Sequence, residues 1–472
     1  KKFLDRMESS KSMDSGYLER SKNRFENILQ ITNQDVEFIN NSIEEGVEVH
    51  ISELAIKRIL EMCAKRKTRR PHRKRVSVMH VSSSMGRGGA ERQLINCVKG
   101  AINSNRFGEI SLCTYSKQGP ESLIGEIYEA GIKIHQYGEL IDMDKMIMRN
   151  NLSEFGDLIK LLPTRFAIDL VELSVIFKRF RPGIVNSWQD GTNIVAALAG
   201  MIAGVPTVVM FGRSMRPDAK TMAHIRNRPY LKMAYNMILS DPRFCLCLNS
   251  ERGRESYAEW LEIEKEELLV LHNGLDIEGM KEKEYEEEVI EFLRGANIPE
   301  DSEIVGGVFR FVREKRLELW VESAMEAIQR RDGVYFIAVG DGPERDRISE
   351  IVKRRGFEDR IFFPSKTEFV GSWLKIFDLF LLTSIIEGLP NVLIEAQGYG
   401  VPVLSTRAGG SEDTFENYEG GVLLMEEESS EIAEQICLCL DDYSWREKAG
   451  KSAINNAGEK FSIDAMLEKL KE

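Results

Sequence analysis

Glu387 and Glu395 stand eight residues apart, and Gly388-Leu389-Pro390-Asn391 follows directly on the first. An ionised carboxylate only accepts hydrogen bonds, so two of them on a fixed scaffold suit a ligand rich in hydroxyl donors. Pro390 is pre-set for the first turn of a helix, where its missing N–H costs nothing. A helix is expected from about 390 to 397, ending at Gly398 and Gly400. The apolar run at 379–383 reads as a buried parallel strand, and 402–405 as the next one. Glu387 then lies in the loop that leaves a strand, and Glu395 two turns into the helix. The unpaired amides of the first helical turn lie between them. Such amides bind anions, and the loops that leave parallel strands face the ligand crevice. The chemistry offered is a seat for a phosphate and a polyol. Two glutamates at this spacing occur by chance in any acidic chain. The ordered run of strand, Glu, Gly-Leu-Pro-Asn, helix, Glu, strand and Gly409-Gly410 sets this pair apart.

The elements that position these residues come from a chain of 472 residues, 42% apolar and 30% charged, enough for two domains and an extension. In the first half, 76–81 reads as a strand running into Ser82-Ser83-Ser84-Met85-Gly86-Arg87-Gly88-Gly89-Ala90-Glu91-Arg92 and a helix over 93–102. Strand, glycine loop and helix make a phosphate cradle. The glycine spacing is neither that of a dinucleotide fold nor that of a Walker loop. Further strands are expected at 110–115, 132–136, 184–188, 207–211 and 244–248. Helices are expected near 122–130 and 192–203, with two more within 143–178. Asp190, Arg213 and Ser214 fall in exit loops and are candidates for the acceptor side of a site. In the second half, a strand at 304–309 leads into Arg310 and Lys315. A fixed cation pair at a strand end can hold a diphosphate and neutralise it as it leaves. Helices are expected at 431–440, 444–453 and 461–471.

The stretch 387–410 resembles the donor-binding signature of the retaining glycosyltransferases of the two-Rossmann (GT-B) type, family four or "group 1". Glu387 and Glu395 match its Glu-x7-Glu motif. Gly306, Arg310 and Lys315 match its Gly-x-x-x-Arg pattern with Lys five residues on. The Gly88-Gly89-Ala90-Glu91-Arg92 loop and the turn Asn273-Gly274-Leu275-Asp276 are similar to its first-domain motifs. The resemblance covers 76–472, more strongly in the second half. It implies an α/β fold of two Rossmann-like domains facing across a cleft, with an N-terminal helical extension. The domains implied are a helical basic extension (1–75), an acceptor domain (76–275), a nucleotide-sugar donor domain (276–455) and a crossover helix (456–472).

The activity implied is retaining, metal-independent transfer of a hexosyl-type sugar from a nucleotide-sugar donor. A UDP-sugar is expected as donor, and a glycan or lipid-linked molecule of surface or capsular polysaccharide synthesis as acceptor. Glu387, Arg310 and Lys315 take the catalytic roles. Glu395 would hold the ribose hydroxyls. Gly388, Leu389, Pro390, Asn391 and Gly89 complete the donor site. No cofactor and no metal are expected. Many relatives carry a His near 184–192, and this chain has none there, so no catalytic His is assigned. The alternatives on the same scaffold are a sugar-nucleotide epimerase, whose motifs lack this Glu-x7-Glu run, and a non-catalytic scaffold of a polysaccharide-synthesis complex. The intact motif residues argue against the scaffold.

A net charge of −12 argues against a general nucleic-acid binder. Asp142-Met143-Asp144 is read as a chance match to the metal motif of another glycosyltransferase fold. The seven cysteines show no zinc-ligand spacing and suit a reducing cytosol. Residues 194–211 are uncharged, but Gly204 and Pro206 break them, so a buried helix and a strand are expected rather than a membrane span. Residues 28–67 have helical apolar spacing. The tract 65–75 holds eight basic residues in eleven, which suits a solvated linker or contact with anionic lipid, glycan or another polysaccharide-synthesis protein. The expected location is cytoplasmic, peripheral at the inner face of the membrane. The chain opens on Lys-Lys, and a start further upstream is expected.

Overall fold

The computed structural model describes residues 51–64, 75–115, 119, 122–139, 142–219, 228, 230–281 and 285–470. The region 1–50 and all of the basic tract except Arg75 lie outside them, so the extension and the tract are open apart from one helix.

Two sheets organise the chain. The first holds β1 (Val78–Ser82), β2 (Ile110–Tyr115), β3 (Lys133–Tyr137), β4 (Ile184–Trp188), β5 (Thr207–Phe211), β6 (Phe244–Leu248) and β7 (Leu269–Val270), in the order β3-β2-β1-β4-β5-β6-β7. β1 pairs in parallel with β2 and β4, β2 with β3, and β6 with β7. The second holds β8 (Glu303–Val308), β9 (Val334–Val339), β10 (Ile361–Phe362), β11 (Leu379–Leu382), β12 (Val403–Thr406) and β13 (Gly421–Leu424), in the order β10-β9-β8-β11-β12-β13. All five of its ladders are parallel. Parallel strands need crossover helices, which cover both faces, and this is why the strands read as continuous apolar runs rather than alternating ones. The strand order reverses between β1 and β4 in the first sheet and between β8 and β11 in the second. Such switch points open a crevice at the carboxyl ends of the strands.

The second sheet is held by an aromatic core. Trp320, on the helix Leu317–Arg330, packs edge-to-face on Phe336 of β9 with ring centroids 5.7 Å apart, and its Nε1 donates to the Leu381 carbonyl at 3.2 Å. A buried indole whose N–H finds a strand carbonyl keeps its apolar area without stranding a donor. It also fixes the helix that starts just past Lys315.

By contact the described residues form two compact units. One comprises those within Lys1–Gly86, Phe107–Met210 and Asn227–Cys245. The other comprises those within Arg87–Arg106, Phe211–Arg226 and Leu246–Glu472. In the first unit the helix Ile51–Ala64 buries Leu54, Ile56, Ile59, Leu60 and Cys63 against the helices Asp190–Ala203 and Leu231–Leu239. This part of the extension is therefore built into the core of its unit. The helix expected at 192–203 runs over Asp190–Ala203. Among the described residues no helix is long and apolar enough to cross a membrane.

The region 143–178 holds the two helices expected there, Met143–Arg149 and Thr164–Phe180, with a short 3-10 and α turn between them. One expectation changes. The helix expected at 444–453 runs from Tyr443 to Phe461, through the 455/456 boundary. Within the added part, Asn456 Nδ2 donates to Gln397 Oε1 (2.7 Å) and to the Thr414 carbonyl (2.8 Å), so tertiary bonds hold residues of weak helix propensity in the helix. Asp142 caps the helix Met143–Arg149 by accepting from Lys145 N at 3.1 Å, and Asp144 pairs with Lys160 at 2.7 Å. Local structure accounts for that motif.

Candidate functional site

The site grows from the switch point of the second sheet. The chain leaves β8 through Arg310 and closes a 3-10 turn at Arg313–Lys315. It leaves β11 through Thr383 and Ser384 to Glu387. The two exits are stitched together. Thr383 Oγ1 donates to the Lys315 carbonyl (3.0 Å), Arg316 Nε to the Thr383 carbonyl (2.6 Å), and Ile385 N to the Glu314 carbonyl (2.8 Å). Arg316 sits in the left-handed region at φ 47°, an uncommon conformation held here by its own side-chain bonds. The result is an ion pair between Lys315 Nζ and Glu387 Oε1, with both side chains more than four-fifths buried. Arg310 is exposed, and no ion pair to its side chain occurs among the described residues.

The helix after Glu387 spans Asn391–Gly398, with Pro390 as its extended N-cap. Its first-turn amides face outward because no earlier turn exists to accept from them. Leu389 is buried with Leu275, Ile394, Ala457 and Phe461. Of the donor-site residues expected from the sequence, Leu389 thus anchors the loop and offers a ligand only its backbone. Glu395 lies on the buried face, 5% exposed, with Arg92 Nη1 3.9 Å from its carboxylate. Burial pushes the Glu395 carboxyl up from its ordinary value, and Arg92 pulls it partly back. A buried carboxylate with one distant cation is a group awaiting donors.

Backbone approach explains the glycines. Glu387 N donates to the Ala408 carbonyl (2.7 Å) and Gly410 N to the Glu387 carbonyl (3.2 Å). A Cβ on Gly410 would lie 1.6 Å from the Gly388 carbonyl oxygen, and one on Gly388 would lie 2.4 Å from the Arg213 carbonyl oxygen. Gly409 takes φ +70° in the same turn. Past it, Glu412 pairs with Arg252 (2.9 Å) and Arg407 (3.0 Å).

Arg92 and Asn273 are parts of the site that the sequence reading did not assign. Asn273, 3% exposed, accepts from Arg213 Nη2 and donates through Nδ2 to the Leu389 carbonyl (3.2 Å) and Asn391 Oδ1 (2.5 Å). The turn that carries it is fixed by Gln93, whose Oε1 accepts from Gly274 N (2.9 Å), and by Asn96, whose Nδ2 donates to the Gly274 carbonyl (2.6 Å). The asparagine of the Asn273-Gly274 turn was the available signal. Its partners, 60 to 118 residues away in sequence, were not legible. Arg213 therefore stands beside the Gly388–Asn391 loop, and burial lowers its guanidinium to about 10, still charged at neutral pH. Gly89 opens the helix Gly89–Asn103 next to Asn391. Ser214 also lies close, its Cα 2.9 Å from where a Gly388 Cβ would be. The structure thus brings together Arg310, Lys315, Glu387 to Asn391, Glu395, Gly89, Arg213 and Ser214 in one compact unit. Asp190 belongs to the other unit, where Tyr235 Oη donates to its Oδ1 at 2.9 Å. Among the described residues no group of His, Cys, Asp and Glu could hold a metal ion.

Comparison with known proteins agrees with this architecture. Residues 289–456 match the family model of the glycosyl transferases group 1. The chain is 31% identical over 288 residues to the Vi polysaccharide biosynthesis protein VipC/TviE of Salmonella typhi. The match covers 60% of this chain and about half, 49%, of that relative. Among solved structures it is similar to a glycosyltransferase from Rickettsia africae, with a TM-score of 0.69 and 17% identity, covering 84% of this chain and 97% of that one. It is also similar to Anabaena Alr3699/HepE in complex with UDP and glucose, with a TM-score of 0.66 and 20% identity, covering 84% and 98%. The fold is GT-B.

Proposed function

From a chain of the group 1 glycosyltransferase type, we propose an enzyme that moves a sugar from a nucleotide-sugar donor, a UDP-sugar, to a glycan or lipid-linked acceptor with retention of anomeric configuration. The observation that carries the reading is the Lys315–Glu387 pair set beside the start of the helix that buries Glu395. Breaking the anomeric C–O bond leaves positive charge on the sugar ring and negative charge on the diphosphate. The bond's electron pair goes to the diphosphate oxygen. Lys315 and the amides at Asn391 and Val392 meet that charge from fixed positions and need no reorganisation as the bond breaks, and the exposed Arg310 adds its charge. The acceptor oxygen forms its bond on the face the diphosphate leaves, and its proton passes to the departing phosphate oxygen. Glu387 faces the donor sugar, and Glu395 accepts from the ribose hydroxyls. In this scheme neutralisation comes from side chains and amides, with no metal and no covalent enzyme intermediate.

UDP and glucose in the HepE complex support the donor class, and the role of the Salmonella relative supports polysaccharide synthesis as the setting. The proposal extends to the cytoplasmic face of the membrane, with the basic tract 65–75 against anionic lipid. The test is release of UDP from a panel of UDP-sugars with candidate glycan acceptors, and the anomeric configuration of the product by NMR. Release with a retained product supports the reading. An inverted product overturns the retaining mechanism, and an epimerised sugar with UDP still attached favours the epimerase alternative.

A further inference from the structure

The bonds around Asn273 have a direction that fixes an otherwise ambiguous amide. An arginine guanidinium only donates, so the Asn273 atom facing Arg213 must be its carbonyl oxygen. The Asn273 amide nitrogen therefore faces the other way, toward the Leu389 carbonyl and the Asn391 side chain. A donor there requires Asn391 to present Oδ1. Asn391 is left with its Nδ2 as the unengaged end, and among the described residues that nitrogen donates to no protein acceptor. Both O/N orientations follow from the donor-only cation at the head of this hydrogen-bond chain. The Asn391 Nδ2 lies beside Gly89, where a Cβ would stand 3.5 Å from it and where no side chain is present. Asn391 is also the first residue of its helix, where the positive end of the helix dipole favours an anion.

We propose that Asn273 is a positioning residue: held by Arg213, it locks the Asn391 amide so that Nδ2 is a hydrogen-bond donor to an anionic oxygen of the bound nucleoside diphosphate. This deepens the nucleotide-sugar reading and rests on it. Arg213 then acts through two neutral amides rather than by touching the ligand. It polarises each one toward donation, and it leaves the leaving-group charge to Lys315 and Arg310. Swapping the direction of either amide would set a carbonyl oxygen against a phosphate oxygen, so the lock selects for an anion at that position.

The experiment is a double-mutant cycle on the full chain, read by calorimetric titration with UDP and, as a neutral control, uridine. Thermal melts check that each variant is folded. Asn391→Ala is expected to weaken UDP about tenfold, the loss of one hydrogen bond to a charged group. Asn273→Ala should weaken it by a similar factor, and the double variant by no more than the larger single effect, because the first residue acts through the second. Uridine affinity should stay within about twofold throughout, since only the diphosphate oxygen loses a partner. Asn391→Asp keeps the oxygen that Asn273 needs and replaces the donor with a negative oxygen. It should weaken UDP by at least a further factor of about ten beyond Asn391→Ala. It reads the same orientation should Asn273→Ala fail to fold. Multiplying effects in the double variant, equal losses for uridine and UDP, or Asn391→Asp binding UDP as well as Asn391→Ala would each overturn the inference and leave the donor-site reading standing. If the wild type binds no nucleoside diphosphate, the donor-site reading falls as well.

Discussion

At the switch point of the second sheet, between β8 and β11, the exit loops carry charge. Lys315 faces Glu387, Arg310 is open to solvent, and an eight-residue helix begins beside them. At the switch point of the first sheet, between β1 and β4, hydroxyl and amide groups and the Asp190 carboxylate satisfy one another. Thr192 Oγ1 donates to Ser83 Oγ (3.2 Å), Ser187 Oγ to Asn193 Oδ1 (2.8 Å), Asn193 Nδ2 to Tyr235 Oη (3.2 Å), and Tyr235 Oη in turn to Asp190 (2.9 Å). The two ends follow one topological plan. One keeps charged groups poised for a ligand. The other spends its polar groups on a buried network, where unsatisfied members would be costly. The shared fold therefore provides the location of a site, and the residues at the strand ends decide whether chemistry is placed there.

Changes at the charged end should have the largest effects. Lys315→Ala is expected to reduce the rate of sugar-nucleotide turnover by about 10²–10³, the usual cost of removing one preorganised charge partner, as measured by UDP release under saturating donor. Gly410→Ala tests the backbone rather than the charge. Its methyl has only 1.6 Å to the Gly388 carbonyl oxygen, so it should cost roughly 1–3 kcal/mol of stability or more, read from urea denaturation midpoints.

Glu395→Gln separates stability from binding. The folded carboxyl is raised above its ordinary value, so the native state holds that proton more tightly than the unfolded chain does. Its contribution is fully present below the unfolded value and is lost as pH rises through the folded one. The amide carries no such dependence. The melting temperature of Glu395→Gln relative to wild type should therefore climb between pH 4 and pH 8, while its UDP affinity falls about tenfold. A flat difference across that range would mean the buried carboxylate is compensated by more than Arg92.

The smallest effect is expected at the first-sheet end. Asp190→Asn keeps an oxygen for Tyr235, so UDP affinity should stay within about twofold. A large loss there would break the contrast between the two ends.

The charged end was legible in the sequence because its residues are tied to fixed types at short spacing. Glu387, the Gly388–Asn391 loop and Glu395 lie within nine residues, and Arg310 and Lys315 follow one strand. Strands buried on both faces announced themselves as apolar runs, so the sheet strands at the site were also readable. The rest was not, for physical reasons. Arg213 was read as an acceptor-side group from its exit loop alone. Its partner Asn273 is brought up by tertiary folding. Leu389 was read as lining a ligand, but apolar burial with Phe461, at the far end of the chain, claims its side chain. The helix Tyr443–Phe461 outruns the expected 444–453, and Asn456 in its added part is bonded to Gln397 and Thr414, distant in sequence.

The central claim is that the Glu387–Glu395 segment of the second sheet binds the nucleoside diphosphate of a sugar donor. It is tested most directly by calorimetric titration of uridine, guanosine, adenosine and cytidine diphosphates into the wild type and Glu395→Ala. The account predicts one site per chain, tightest for UDP, and weakened about tenfold or more in the variant. No binding by any of the four, or binding that Glu395→Ala leaves unchanged, would contradict it.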